Sequence, residues 1–154
     1  GLITMKVRRG AYVTEVNDKD QQDVYHLLAL LESDAAGVVA EVATEAQMAE
    51  LQQLHQQLKA AQHNTDQFFD INEQFHMRLL EIANNRWRDQ MVADLRKVMK
   101  LNRHHSLFKT GRIEESFQEH QLLMDALTER NAPLSVQRMK EHFANGLEAA
   151  GSAH

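Results

Sequence analysis

Residues 64–85 read NTDQFFDINEQFHMRLLEIANN, and this stretch decides the fold class. Asn64 followed three residues later by Gln67 is a helix-start signal, because a short polar side chain accepts a hydrogen bond from the free backbone N–H groups of a first turn. Phe68, Phe75 and Leu79 then recur at helical spacing, and Asn84 with Asn85 supplies the stop. Within this helix Asn72 and His76 stand four apart, so both side chains project from one face.

The same periodicity extends to either side. Val24, Leu27, Leu28, Leu31, Ala35 and Val38 form a stripe that predicts a first helix over about 20–43. Thr44 with Gln47 is a capping-box pattern that starts a second helix, running to about 62. The quoted stretch is the third helix, and a fourth follows to about 108. Thr110 and Gly111 break the pattern before a fifth helix at about 113–130. Asn131, Ala132 and Pro133 then open a sixth, since Asn caps well and Pro is tolerated in a first turn. One Pro and six Gly in 154 residues leave little punctuation for a β protein. The expectation is an all-α fold, an antiparallel six-helix bundle over 17–150, preceded by a short β-hairpin remnant over 1–16. In that remnant Ile3, Met5 and Val7, then Ala11, Tyr12 and Val13, flank Arg8, Arg9 and Gly10. A lone hairpin is marginal in water and reads as part of something larger.

Composition sets the outer limits. Apolar residues make up 43% and charged residues 25%, an ordinary globular balance. No apolar run approaches the roughly 18 residues of a membrane span, nothing at the start reads as a secretion signal, and there is no cysteine. Cytoplasmic localisation is the default expectation, with no membrane partner. The net charge of −5 argues against a body that wraps nucleic acid. Lys6, Arg8 and Arg9 are the local exception.

Nine histidines are the most informative feature. His26, His55 and His63 fall among polar neighbours and read as solvated, His154 is terminal, and His104 with His105 suits the negative end of helix four. His76, His120 and His142 instead share helix faces with core residues. One such histidine alone reads as buried and bonded to a carbonyl. Three on separate helices are costly to bury unpaired, and a shared metal ion satisfies one nitrogen on each. With Asn72 as an oxygen donor the set suits zinc, with nickel or iron as alternatives.

Asn72, Glu73, Gln74, Phe75, His76, then Leu79, Ala83 and Asn85, resemble the D/N-x-x-F-H…L…A-x-N signature of the FadR-type C-terminal domain in GntR transcription regulators. Glu119, His120, Ala126 and Leu127 resemble its E-H…A-L segment, and Met139, Lys140, Glu141, His142 and Phe143 its closing M-x-x-H-L/F segment. Leu30, Leu31 and Glu32 are similar to its early L-E element. Residues 1–13 resemble the end of a winged helix-turn-helix wing, where Arg8 and Arg9 would contact DNA in an intact protein. Six helices match the smaller, VanR-like subgroup. The resemblance implies a divalent metal held by Asn72, His76, His120 and His142 at the base of a cavity that takes a small carboxylate effector. It also implies a homodimer, with operator DNA bound only through the missing N-terminal domain.

On helix four, Arg96, Asn102 and Arg103 are spaced to line one side of such a cavity, and Arg suits a carboxylate. A solvated charged face is the other reading. Two further functions stay open: a dimerisation module with a purely structural metal, and a metal-dependent enzyme. Glu73 and His76 form the E-x-x-H spacing of di-iron bundles, but positions 117 and 139, three before the other histidines, are Phe and Met. H-E-x-x-H is absent as well.

Overall fold

The computed structural model describes residues 17–101 and 110–152. The expected hairpin with Arg8 and Arg9 lies outside the described residues, as do Asn102, Arg103, His104, His105 and His154. Among the described residues the fold is all-α. It comprises α1 (Asp18–Val42), α2 (Glu45–Ala60), α3 (Thr65–Ala83), α4 (Arg86–Lys100), α5 (Arg112–Thr128) and α6 (Ala132–Ser152).

Local chemistry sets most of the boundaries. The Asn17 side chain accepts from Asp20 N at the start of α1. Thr44 and Gln47 bond each other's backbone N–H in a complete capping box. Asn64 accepts from Gln67 N. Asn84 ends α3 in the left-handed region at φ 61, a conformation that Asn adopts more readily than most residues, and Asn85 at once caps α4. Asn131 accepts from Leu134 N at the head of α6. Helix four is described as Arg86–Lys100 with Leu101 as its C-cap, and the expected continuation to about 108 lies outside the described residues.

The buried face of α1 also differs from its expected stripe. Val24, Leu28, Ala35 and Val39 are buried, whereas Leu27 is 44% exposed. The buried face runs instead through Val24, Leu28, Ala35, Ala36, Val39 and Ala40, and Leu27 falls outside it. That face also carries Glu32, fully buried. α1 packs most extensively on α6, and Gly37 allows the close approach, since a Cβ there would stand 2.8 Å from Val136 Cγ2. The main core joins Leu28, Phe75, Leu79, Leu123, Leu127 and Met139. A smaller cluster of Leu58, Phe68, Ile71 and Phe117 packs below α2. These two clusters fix α3, α5 and α6 around a common interior.

Candidate metal centre

Three helices each deliver one histidine to that interior. His76 comes from α3, His120 from α5 and His142 from α6, and all three are buried. One ring nitrogen from each can be chosen so that all lie within 4.8 Å of one another. Ring centroids stand 5.2 Å apart for His76 and His120, 5.5 Å for His76 and His142, and 4.7 Å for His120 and His142.

Carboxylates hold two of the rings from behind. His76 Nδ1 lies 2.5 Å from Glu32 Oε1, and His142 Nδ1 lies 2.5 Å from Glu119 Oε1. Each contact fixes the proton on Nδ1 and turns the lone pair of Nε2 the other way. Glu32 also accepts from Arg96 Nε at 2.9 Å, and the Arg96 guanidinium reaches Glu73 as well. Glu119 accepts twice from Arg112, at 2.8 Å each.

The inner atoms of this arrangement lack partners. Among the described residues, His76 Nε2, both nitrogens of His120 and Asn72 Oδ1 are buried without a hydrogen bond. Burying an unsatisfied polar atom costs about 1–3 kcal/mol, so such a concentration requires a physical reason. Three imidazole lone pairs and an amide oxygen are the donor set of a borderline divalent cation, and the residues present fit one. Beside them lies a cavity of about 60 Å³ whose wall includes Asn72, His76, His142, Arg96 and Arg112. A single water needs roughly 10–15 Å³ on this scale, so there is room for several waters or a compact ligand group.

A family comparison settles what kind of domain this is. The model of the FCD domain matches residues 23–145. The chain belongs to the FCD domain family. Its relatives include the HTH-type transcriptional repressor RspR of Escherichia coli, 26% identical over 145 residues that make up 93% of this chain and 64% of the relative. The chain therefore spans just under two thirds of that protein. The E. coli McbR/YncC structure superposes with a TM-score of 0.81 at 22% identity, covering 91% of this chain and 68% of that one. A Streptococcus agalactiae GntR structure gives 0.76 at 21%, covering 88% and 62%. The solved structures share the fold, and the curated relatives are named as transcription regulators rather than enzymes.

The FCD domain brings Asn72, His76, His120, His142 and Arg96 to one place. Arg96 is only 2% exposed, so it is not part of a solvated charged face; Asn102 and Arg103 lie outside the described residues. His55 is a second correction: it is buried against Phe117 rather than solvated. Three further groups were given no role from sequence. Glu32 and Glu119 appeared only as motif letters, and Arg112, next to the helix break at Gly111, gave no signal.

Burial, with the nearby charges of Arg96 and His142, holds His76 well below its ordinary 6.5; His120 is lowered likewise by burial, then by His142 and His76. Both stay neutral in the fold, while the unfolded chain takes up protons as pH drops through 6.5. For Glu119, burial raises the pKa, but the bonds from His142 and Arg112 outweigh it and bring the group down to about 2 from 4.5. Its contribution is complete above 4.5 and is lost towards 2. Thermal melts of the metal-free FCD domain should therefore show a Tm that falls from about pH 6.5 downwards and falls again below 4.5. A Tm that rises on acidification through 6.5 would contradict this assignment.

Proposed function

We propose that this FCD domain is the effector-sensing part of a GntR-type DNA-binding regulator, and that it responds to a small carboxylate at a metal held by Asn72, His76, His120 and His142. The observation that carries the reading is the convergence of four unpartnered buried atoms beside a cavity walled by two arginines. Zinc suits the donor set best, with nickel or iron as alternatives. When bound, the ion supplies a Lewis-acid site for a carboxylate oxygen. Arg96 and Arg112 stand in the cavity wall as N–H donors for a carboxylate, Arg96 held in place by Glu32 and Glu73 and Arg112 by Glu119. That engagement of Glu73 also argues against the di-iron reading, in which the carboxylate would face a metal.

Sensing requires that the effector bind two states of the regulator unequally; tight binding alone shifts nothing. Titration calorimetry of the zinc-loaded domain with a panel of small carboxylates should find a binder that Arg96→Gln weakens. With the intact regulator, saturating binder should change operator affinity. An unchanged operator affinity would reject sensing and leave the alternative, a dimerisation module with a structural metal.

The regulator acts as a homodimer on this proposal, through a face shared by α1 and α4. Trp87, 69% exposed, and Met91 stand one turn apart on α4, and Leu27 and Leu30 are exposed on α1. Asp34 and Arg88 tie the two helices together at 2.5 Å. Apolar side chains in this arrangement fit the same face of a second copy. Sedimentation should give a dimer for the parent and a monomer for the Trp87→Glu, Met91→Glu double variant. A dimer that survives both charges would place the interface elsewhere.

A further inference from the structure

A fourth buried histidine lies next to the centre but outside it. His55, on α2, is 3% exposed. Its ring stacks on Phe117 with centroids 4.8 Å apart and planes 6° apart, and its Nε2 lies 2.9 Å from Gln121 Oε1. The Gln121 amide is oriented by its other end, which donates to Asp125 at 2.9 Å. Its oxygen therefore faces His55, so Nε2 of His55 carries the proton and Nδ1 keeps a lone pair. That Nδ1 is buried and without a partner.

Phe117, His120 and Gln121 share one face of α5, so the residues that hold His55 flank His120. Now consider what a metal asks of His120. One ring nitrogen ligates, and the other must then be an N–H in need of an acceptor. For His76 and His142 that acceptor is a carboxylate, Glu32 or Glu119. Among the described residues His120 has no such carboxylate, and both of its nitrogens are unpartnered. Across the α2–α5 contact stands a buried acceptor that lacks a donor.

We propose that His55 is the positioning partner of His120, its Nδ1 accepting from the non-ligating His120 N–H through one buried water. His55 thereby does for the third imidazole what Glu32 and Glu119 do for the other two. A neutral acceptor in this place keeps the centre from gaining a third buried negative charge. The proposal rests on the metal reading above.

The test compares two substitutions that differ in which ring nitrogen they imitate. Asn at 55 sets its amide oxygen near the position of Nδ1; Gln sets its amide near Nε2, retaining the link to Gln121 and losing the inner acceptor. Zinc affinity of the 154-residue chain is measured by competition with a chromophoric chelator, beside the Tm of each metal-free variant. Loss of a partner behind a ligating histidine weakens metal binding by about 10–100-fold. His55→Gln should show such a loss, and His55→Asn should bind within a few-fold of the parent, while the metal-free Tm values of the two stay close together. If both variants lose affinity equally, in step with their Tm, or if His55→Gln binds like the parent, His55 is a packing residue and the proposal fails. If the parent binds no zinc, the metal reading fails first and takes this with it. Ring-nitrogen NMR of the zinc-loaded parent gives a mutation-free reading: His55 protonated on Nε2 with a hydrogen-bonded Nδ1 supports the pairing, and a free Nδ1 overturns it.

Discussion

Glu32→Ala should destabilise the chain by about 3 kcal/mol, the low end of the ~3–5 kcal/mol typical when one partner of a buried ion pair is removed. Glu32 has no exposure to solvent and serves two groups at once, accepting from Arg96 Nε at 2.9 Å and holding His76 Nδ1 at 2.5 Å. Truncation leaves the buried Arg96 cation with Glu73 as its remaining acidic partner and frees the His76 ring to turn. The retained Glu73 contact is the reason for the lower figure. Glu32→Gln should cost clearly less. Burial raises the Glu32 pKa despite the opposing pull of Arg96, so the site already disfavours the charge, and a neutral isostere keeps an acceptor in place. Urea unfolding of the two variants and the parent measures this. A Glu32→Ala chain within 1 kcal/mol of the parent, set against the range quoted above, would mean that Arg96 reaches water more easily than its burial indicates.

His120→Leu should have opposite effects on the metal-free and metal-loaded protein. In the metal-free chain His120 is buried, lies edge-on to Phe75 at 5.0 Å, and has both nitrogens unpartnered. Replacing it with an apolar side chain of similar size relieves an unsatisfied burial worth about 1–3 kcal/mol, so the metal-free variant should melt higher than the metal-free parent. Zinc should then raise the Tm of the parent and leave that of the variant unmoved. A site kept at a cost to the empty fold is the mark of a group selected for binding. If the metal-free variant instead melts lower than the metal-free parent, His120 stabilises the fold by itself and its nitrogens are not waiting for an ion.

The helices and three of the centre's histidines were legible in the sequence because both depend on local spacing. Asn72 and His76 are one turn apart on α3, and the caps at Thr44, Asn64 and Asn85 act within three residues of themselves. What sequence reading missed depends on pairing over distance. Arg88, Val92 and Arg96 are the buried face of α4, whereas Trp87 and Met91 are exposed, the reverse of what hydrophobicity alone predicts. Arg96 can go inside because Glu32, 64 residues earlier, and Glu73 meet it there. His55 was misread for a different reason. Glutamines surround it in the sequence, yet Met48, Leu51, His55 and Leu58 are the buried line of α2 at spacings of three and four. The signal was present in the periodicity and hidden by the polar neighbours. Arg112 enters the cavity wall because α5 begins there after Gly111 at φ 81, a boundary whose three-dimensional direction no local pattern encodes.

The most direct test of the account is the metal content of the purified chain, measured by elemental analysis alongside melts before and after chelation and after reloading with zinc. The account predicts close to one metal ion per chain and a fall in Tm on chelation that zinc reverses, since an ion at 100 times its dissociation constant stabilises the fold by about 2.7 kcal/mol. No metal under any loading condition, with a Tm indifferent to chelator and zinc, would contradict it and reduce His76, His120 and His142 to core residues of a helical dimerisation domain.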